Sequence, residues 1–140
     1  MQDIKMTAEA LEAFLVEVFP QVHADFAVET VTAEGVDVRL VVNDSHLRPG
    51  GTVSGPTMFA LADVGMYLAV LSRIGPQALT VTTNCSIDFM RKPAAGAGLM
   101  CHVRLLKMGR SLAVGDCLIF SDGTDAPVAR ASLTYAIPPA

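Results

Sequence analysis

Apolar residues recur along the chain with two periods, and the change from one to the other marks its elements. After Thr7, the run AEALEAFLVEVF sets Leu11, Phe14, Leu15 and Val18 at helical spacing, with Thr7 as N-cap and Pro20 as the stop. This predicts a short amphipathic helix. FAVETVT (26–32) and VDVRLVV (36–42) alternate about Glu34-Gly35, with Val36, Val38 and Leu40 on one face and Asp37 and Arg39 on the other, and predict a hairpin. Residues 43–55 gather Asn43, Asp44, Ser45, Pro49, Gly50, Gly51 and Gly55 with no apolar period, and read as a loop. Pro56 suits a first helical position, the chain is then nearly all apolar to Ser72, and Gly75-Pro76 closes the segment. A helix apolar on every side belongs inside other structure.

Four strand-like runs follow, at 79–90, 98–107, 111–120 and 128–137, joined by KPAAGAG, MGR and SDGTDAP, of which Asp122-Gly123 is the best hairpin signal. No connection holds a second long helix, so these strands are expected as antiparallel neighbours. The order of elements predicts an α+β fold, in which a curved antiparallel sheet of about six strands wraps one long central helix, with a short N-terminal helix outside it. One domain is expected over residues 1–140, since a chain of this size buries roughly 68–70% of its unfolded surface.

Charge narrows the function classes. A net charge of -4 leaves no basic excess for nucleic acid. Asp3, Lys5, Glu9, Glu12 and Glu17 interrupt any apolar core of a signal peptide, and the longest apolar stretch, after Asp63, is shorter than the ~20 residues of a membrane span. A soluble protein is expected. Cys85, Cys101 and Cys117 show no CxxC pairing and fall in predicted strands, which fits small buried thiols in a reducing cytoplasm. His23, His46 and His102 lack metal-ligand spacing, so no metal is expected.

The chemistry centres on Asp63, the single charged side chain in GTVSGPTMFALADVGMYLAVLS (51–72). A carboxylate among Leu61, Ala62, Val64 and Met66 is the type of group that serves as general base or nucleophile. Gly55 immediately precedes the predicted helix start, beside the unpaired N–H groups of the first turn and the positive end of the helix dipole, which together make an oxyanion site. Glycines of this kind also satisfy tight turns. Eight residues of helix put Gly55 and Asp63 ~12 Å apart, beyond the reach of one reacting carbonyl. If both act on one substrate, the acid must face the Gly55 amide of a second subunit, which predicts a two-fold dimer with two equivalent sites.

Other candidates are placed by their strands and helix faces. Thr82 and Asn84 fall on one face of the strand 79–90 with Thr80, Ser86 and Asp88, opposite Leu79, Val81, Cys85, Ile87 and Phe89, and Thr82 is placed to orient a water or Asp63. Tyr67 lies at i+4 from Asp63, on its helix face. Arg91, Lys92, Lys107 and Arg110 near strand ends can meet the phosphates of a nucleotide-bearing substrate, although scattered surface cations more often only solubilise. Val53-Ser54-Gly55 invites comparison with a nucleophile elbow, but no histidine is placed to activate Ser54.

GTVSGPTMFALAD resembles the signature of hotdog-fold acyl-CoA thioesterases of the phenylacetate-pathway (PaaI-like) group, approximately G-T-x-H-G-G, six residues, then Asp. SIDFMRKPAAG is similar to the group's N-I-x-F-L-R-P-A segment, and GRSLAVGDCLIF and VARASLTYAI match its closing strands, so the resemblance covers about residues 25–137. It implies the hotdog fold and hydrolysis of an acyl-CoA thioester without cofactor, by a cytoplasmic homodimer or dimer of dimers. Position by position, it implies that Gly55 donates its amide to the thioester oxygen, that Asp63 of the partner subunit activates water or attacks directly, and that Thr82 supports the water. Ser54 stands where the group has His and Pro56 where it has a second Gly. Arg48 lies near the group's usual Asn, with Asn43 and His46 as alternatives for that role. The expected substrate-binding set is Ser54, Arg48, Tyr67, Asn84, Arg91, Lys92 and Arg110. Two rival readings are a non-catalytic acyl-CoA or fatty-ligand binding module and a hotdog hydratase, the latter disfavoured by a central helix without histidine.

Overall fold

A computed structural model describes residues 3–139. Helix α1 (Ala8–Val18) is capped by Thr7, whose hydroxyl accepts from the Ala10 amide at 3.1 Å, and it buries Leu11 and Leu15. Pro20 ends this helix as expected and also opens a short second one, α2 (Pro20–His23), because a missing N–H is harmless in a first turn. Strands β1 (Phe26–Val31) and β2 (Gly35–Leu40) form the expected hairpin, with Val36, Val38 and Leu40 buried. The loop after it contains one 3-10 turn, Asp44–His46.

The apolar segment is helix α3 (Gly55–Ile74), which begins one residue earlier than expected, after Ser54, and ends where Gly75 takes a positive φ of 90°. It is a 20-residue helix, long and apolar enough by length and composition to cross a membrane, which corrects the shorter apolar stretch read from the sequence. Most of it is buried in the curve of the sheet. Close approach to that sheet depends on small residues: a Cβ on Gly65 would stand 3.0 Å from Val103 Cγ2, and one on Gly115 would stand 2.7 Å from Met66 Sδ.

The remaining strands are β3 (Val81–Phe89), β4 (Leu99–Met108), β5 (Leu112–Ser121) and β6 (Ala129–Ala136). All six join one antiparallel sheet in the order β1-β2-β4-β5-β6-β3, the α+β hotdog arrangement around a central helix. The expected adjacency of β3 and β4 is corrected, since β5 and β6 lie between them. The segment 90–98 is therefore not a hairpin turn but a crossing of three strand spacings, ~14 Å. β3 ends up at a sheet edge, paired among the described residues with β6 alone.

A second correction concerns the faces of β3. Thr82 pairs with Tyr135 and Asn84 with the next residue, Thr134, so Thr83 is an extra residue in a β-bulge. The bulge breaks the alternation read from the sequence. Thr80 and Thr82 turn inward together with Cys85 and Ile87, whereas Asn84, Ser86 and Asp88 are exposed.

Candidate active site

The loop before α3 is held by side-chain and backbone hydrogen bonds. Asn43 caps the 3-10 turn through its side chain, and its own amide donates to His46 Nδ1 at 3.0 Å, while His46 Nε2 lies 3.3 Å from Asp25 Oδ1. Both residues weighed as substitutes near Arg48 are thus engaged in holding the loop. Gly50 and Gly51, at φ 100° and 82°, turn the chain so that Arg48 N–H bonds to Thr52 O and Ser54 N–H to His46 O, each at 2.9 Å.

The first turn of α3 then has four backbone positions to account for. Thr57 N–H donates to Ser54 Oγ at 3.3 Å and Met58 N–H to Ser54 O at 3.1 Å, and Pro56 has no N–H. Among the described residues no acceptor takes the Gly55 amide. Ser54 is occupied as the helix cap rather than poised as a nucleophile. Gly55 lines a cleft of about 400 Å³ together with Arg48, Met58, Phe89, Arg91 and Lys92. Arg91 donates to Pro127 O at 2.7 Å, while Arg48 and Lys92 form no ion pair among the described residues.

Asp63, two turns along α3, opens into a different cleft of about 380 Å³ walled by Val18, Phe19, Tyr67, Val81, Thr82 and Tyr135. Its carboxylate is half-buried and accepts from Thr82 Oγ1 and from the Tyr135 hydroxyl, each at 2.6 Å. Tyr67 lies below it, with its hydroxyl on Ala78 O at 3.0 Å and its ring against Phe19 and Tyr135. Burial, the charge of Asp63 and the hydrogen bond to it push the Tyr135 phenol well above its usual value, and burial raises Tyr67, so both remain protonated donors. Burial, then the charge of Asp63, likewise pushes the Cys85 thiol up to about 11.

The candidates therefore divide between two clefts that share no lining residue. Asp63, Thr82 and Tyr67 meet in one; Gly55, Arg48, Arg91 and Lys92 meet in the other. Asn84 joins neither, being turned outward beyond the bulge, and Arg110 lies in a third cleft beside Ile74 and Gln77 at the far end of α3. Tyr135 was not singled out from the sequence. Its signal was present all the same: a tyrosine in a strand of small and aliphatic residues needs a partner for its hydroxyl when buried. Among the described residues no three His, Cys, Asp or Glu side chains converge as metal ligands would.

The chain is similar to known proteins over most of its length. Residues 50–128 match the family model of the thioesterase superfamily. A candidate esterase of Pseudomonas aeruginosa is 33% identical over 102 residues, 72% of this chain and 74% of the relative. Among solved structures, a candidate thioesterase from Silicibacter sp. TM1040 is 54% identical with a TM-score of 0.92, covering 99% of this chain and 96% of that one. The phenylacetic acid degradation protein PaaI from Thermus thermophilus, solved as a point mutant, is 28% identical with a TM-score of 0.72, covering 85% of this chain and 99% of that one.

Proposed function

The chain belongs to the thioesterase superfamily and is a thioester hydrolase, and from that premise we propose that it hydrolyses acyl-CoA at two equivalent sites shared between the subunits of a homodimer, alone or as a dimer of dimers. The observation that carries this reading is the separation of function within one protomer. The acid is anchored in one cleft and the free helix-terminal amide lies in another, ~12 Å along the helix. Exposed apolar residues flank both clefts, among them Leu79, Val81, Phe59, Phe89 and Met90, and support an association surface there.

In this reading the thioester oxygen rests against the Gly55 amide of one subunit while Asp63 of the other removes a proton from water. The water oxygen bonds to the carbonyl carbon, and the charge on the former carbonyl oxygen is met by the amide and the helix dipole. Collapse breaks the carbon–sulfur bond, and the departing thiolate takes the proton, giving free acid and CoA. Arg48 and Lys92 share a cleft with Gly55, which supports a role for them in meeting the CoA phosphates. The aromatic wall of the Asp63 cleft suits an aryl or short- to medium-chain acyl group. The three free thiols support a reducing cytoplasm as the setting.

Two complementary variants test the shared site. Gly55→Pro removes the donor and sets the pyrrolidine ring in its place; Ser54, at φ -74° and ψ 157°, already has the backbone required before a proline, and the first helical position tolerates one. It is expected to lower kcat about 10²–10³-fold, and Asp63→Ala about 10²–10⁴-fold. When the two are unfolded and refolded together, half of the random dimers pair unlike chains, and each such dimer has one site free of both lesions. Roughly a quarter of wild-type activity should return. A mixture as inactive as its components would overturn the shared site.

A further inference from the structure

Both hydroxyl donors to Asp63 land on the same oxygen. Thr82 and Tyr135 each lie 2.6 Å from Oδ1, and among the described residues no hydrogen bond reaches Oδ2. Their convergence follows from the sheet: Thr82 and Tyr135 are register partners across β3 and β6, and the bulge at Thr83 keeps Thr82 turned inward. The Tyr135 hydroxyl also lies 2.7 Å from the Asp63 carbonyl oxygen. A phenol has a single proton for these two acceptors.

We propose that Tyr135 is a positioning residue for hydrolysis, holding Oδ1 of Asp63 so that Oδ2 is presented to the substrate and following the proton as it arrives. The inference rests on Asp63 being the reactive acid. While Asp63 is ionised, the phenol proton lies on Oδ1, where the charge is. When Oδ2 takes the proton from water, the charge leaves Oδ1 and the phenol proton swings to the carbonyl oxygen. The heavy atoms stay in place, since both acceptors are already at hydrogen-bonding distance. The ring that carries this hydroxyl is buried and packed against Tyr67, so its position is fixed by the core rather than by the acid.

A purely structural tie from sheet to helix would be served by the carbonyl oxygen alone, and its loss would lower stability without touching turnover. The test is Tyr135→Phe in the full chain, with phenylacetyl-CoA and hexanoyl-CoA as probes and thiol release as the signal. kcat should fall about 10–100-fold with KM within about twofold. Ser72→Ala, which removes another buried hydroxyl near the far end of α3, should lower the thermal midpoint and leave kcat unchanged. A Tyr135→Phe enzyme with kcat within twofold of wild type, or with its whole loss in KM, overturns the proposal. Asp63→Ala in the same assay separates the two readings: if it destroys turnover and Tyr135→Phe does not, only the positioning role fails, whereas an active Asp63→Ala enzyme removes both. Should Tyr135→Phe not fold, the chain's two tyrosines can be replaced by 3-fluorotyrosine and assigned with Tyr67→Phe. The fluorine resonance of residue 135 should then move on Asp63→Asn by more than that of residue 67, and an unmoved resonance overturns the proposal.

Discussion

One methyl and one hydroxyl separate the informative substitutions at Thr82. Thr82→Ser keeps the donor to Asp63 and should retain kcat within a few-fold, whereas Thr82→Val keeps the shape and deletes the donor. A hydrogen bond to a charged group contributes about 1.5–3 kcal/mol, so the valine enzyme should lose about 10–100-fold in kcat. Steady-state thiol release on both variants checks this, and equal rates would show that the hydroxyl is idle. Asp63 was legible in the sequence because a lone charge inside an apolar run needs an explanation. Thr82 was legible by its strand, but its companion was not, since alternation assigns Asn84 to the same face and only the bulge sends it to the other. Tyr135 escaped because its role depends on which strand lies beside β3, which no local pattern states.

At the scale of elements, periodicity located every helix of more than one turn and all six strands to within a few residues, because burial imposes period on sequence. Sheet order was not legible. KPAAGAG carries every mark of a chain reversal, yet turn residues specify that the chain bends and not which strand it meets next. The β1–β2 turn shows how tightly the observed order is enforced. A Cβ on Gly35 would collide with the Val103 carbonyl oxygen of neighbouring β4, an atom fixed in the ladder that cannot give way. Gly35→Ala should therefore destabilise the fold by about 3 kcal/mol or more, and urea unfolding measures it directly. A loss below about 1 kcal/mol would mean that this turn sits further from β4 than described.

For the whole molecule, buried acidic groups predict the response to alkali. Cys85 is pushed up to about 11, from a usual 9.0, chiefly by burial; Cys101 is raised by the neighbouring Cys117 thiol and by burial; Tyr135 is raised by burial and Asp63. Each group keeps its proton in the folded chain at a pH where the unfolded chain has released it. Their contribution is therefore intact below pH 9 and is lost as pH rises through the gap, so unfolding midpoints should fall between pH 9 and 11. Midpoints that stay level over that range contradict the burial of these groups. The order of strands in the sheet also sets a timetable for the nascent chain. Phe89, the last residue of β3, leaves the ribosome 40 residues ahead of Ala129, the first of β6. At about 5–20 residues per second that is several seconds during which Val81 and Phe89 have the preceding helix for company and no neighbouring backbone to bond. Pauses in translation between those two points would lengthen the interval in which newly made chains stick to one another.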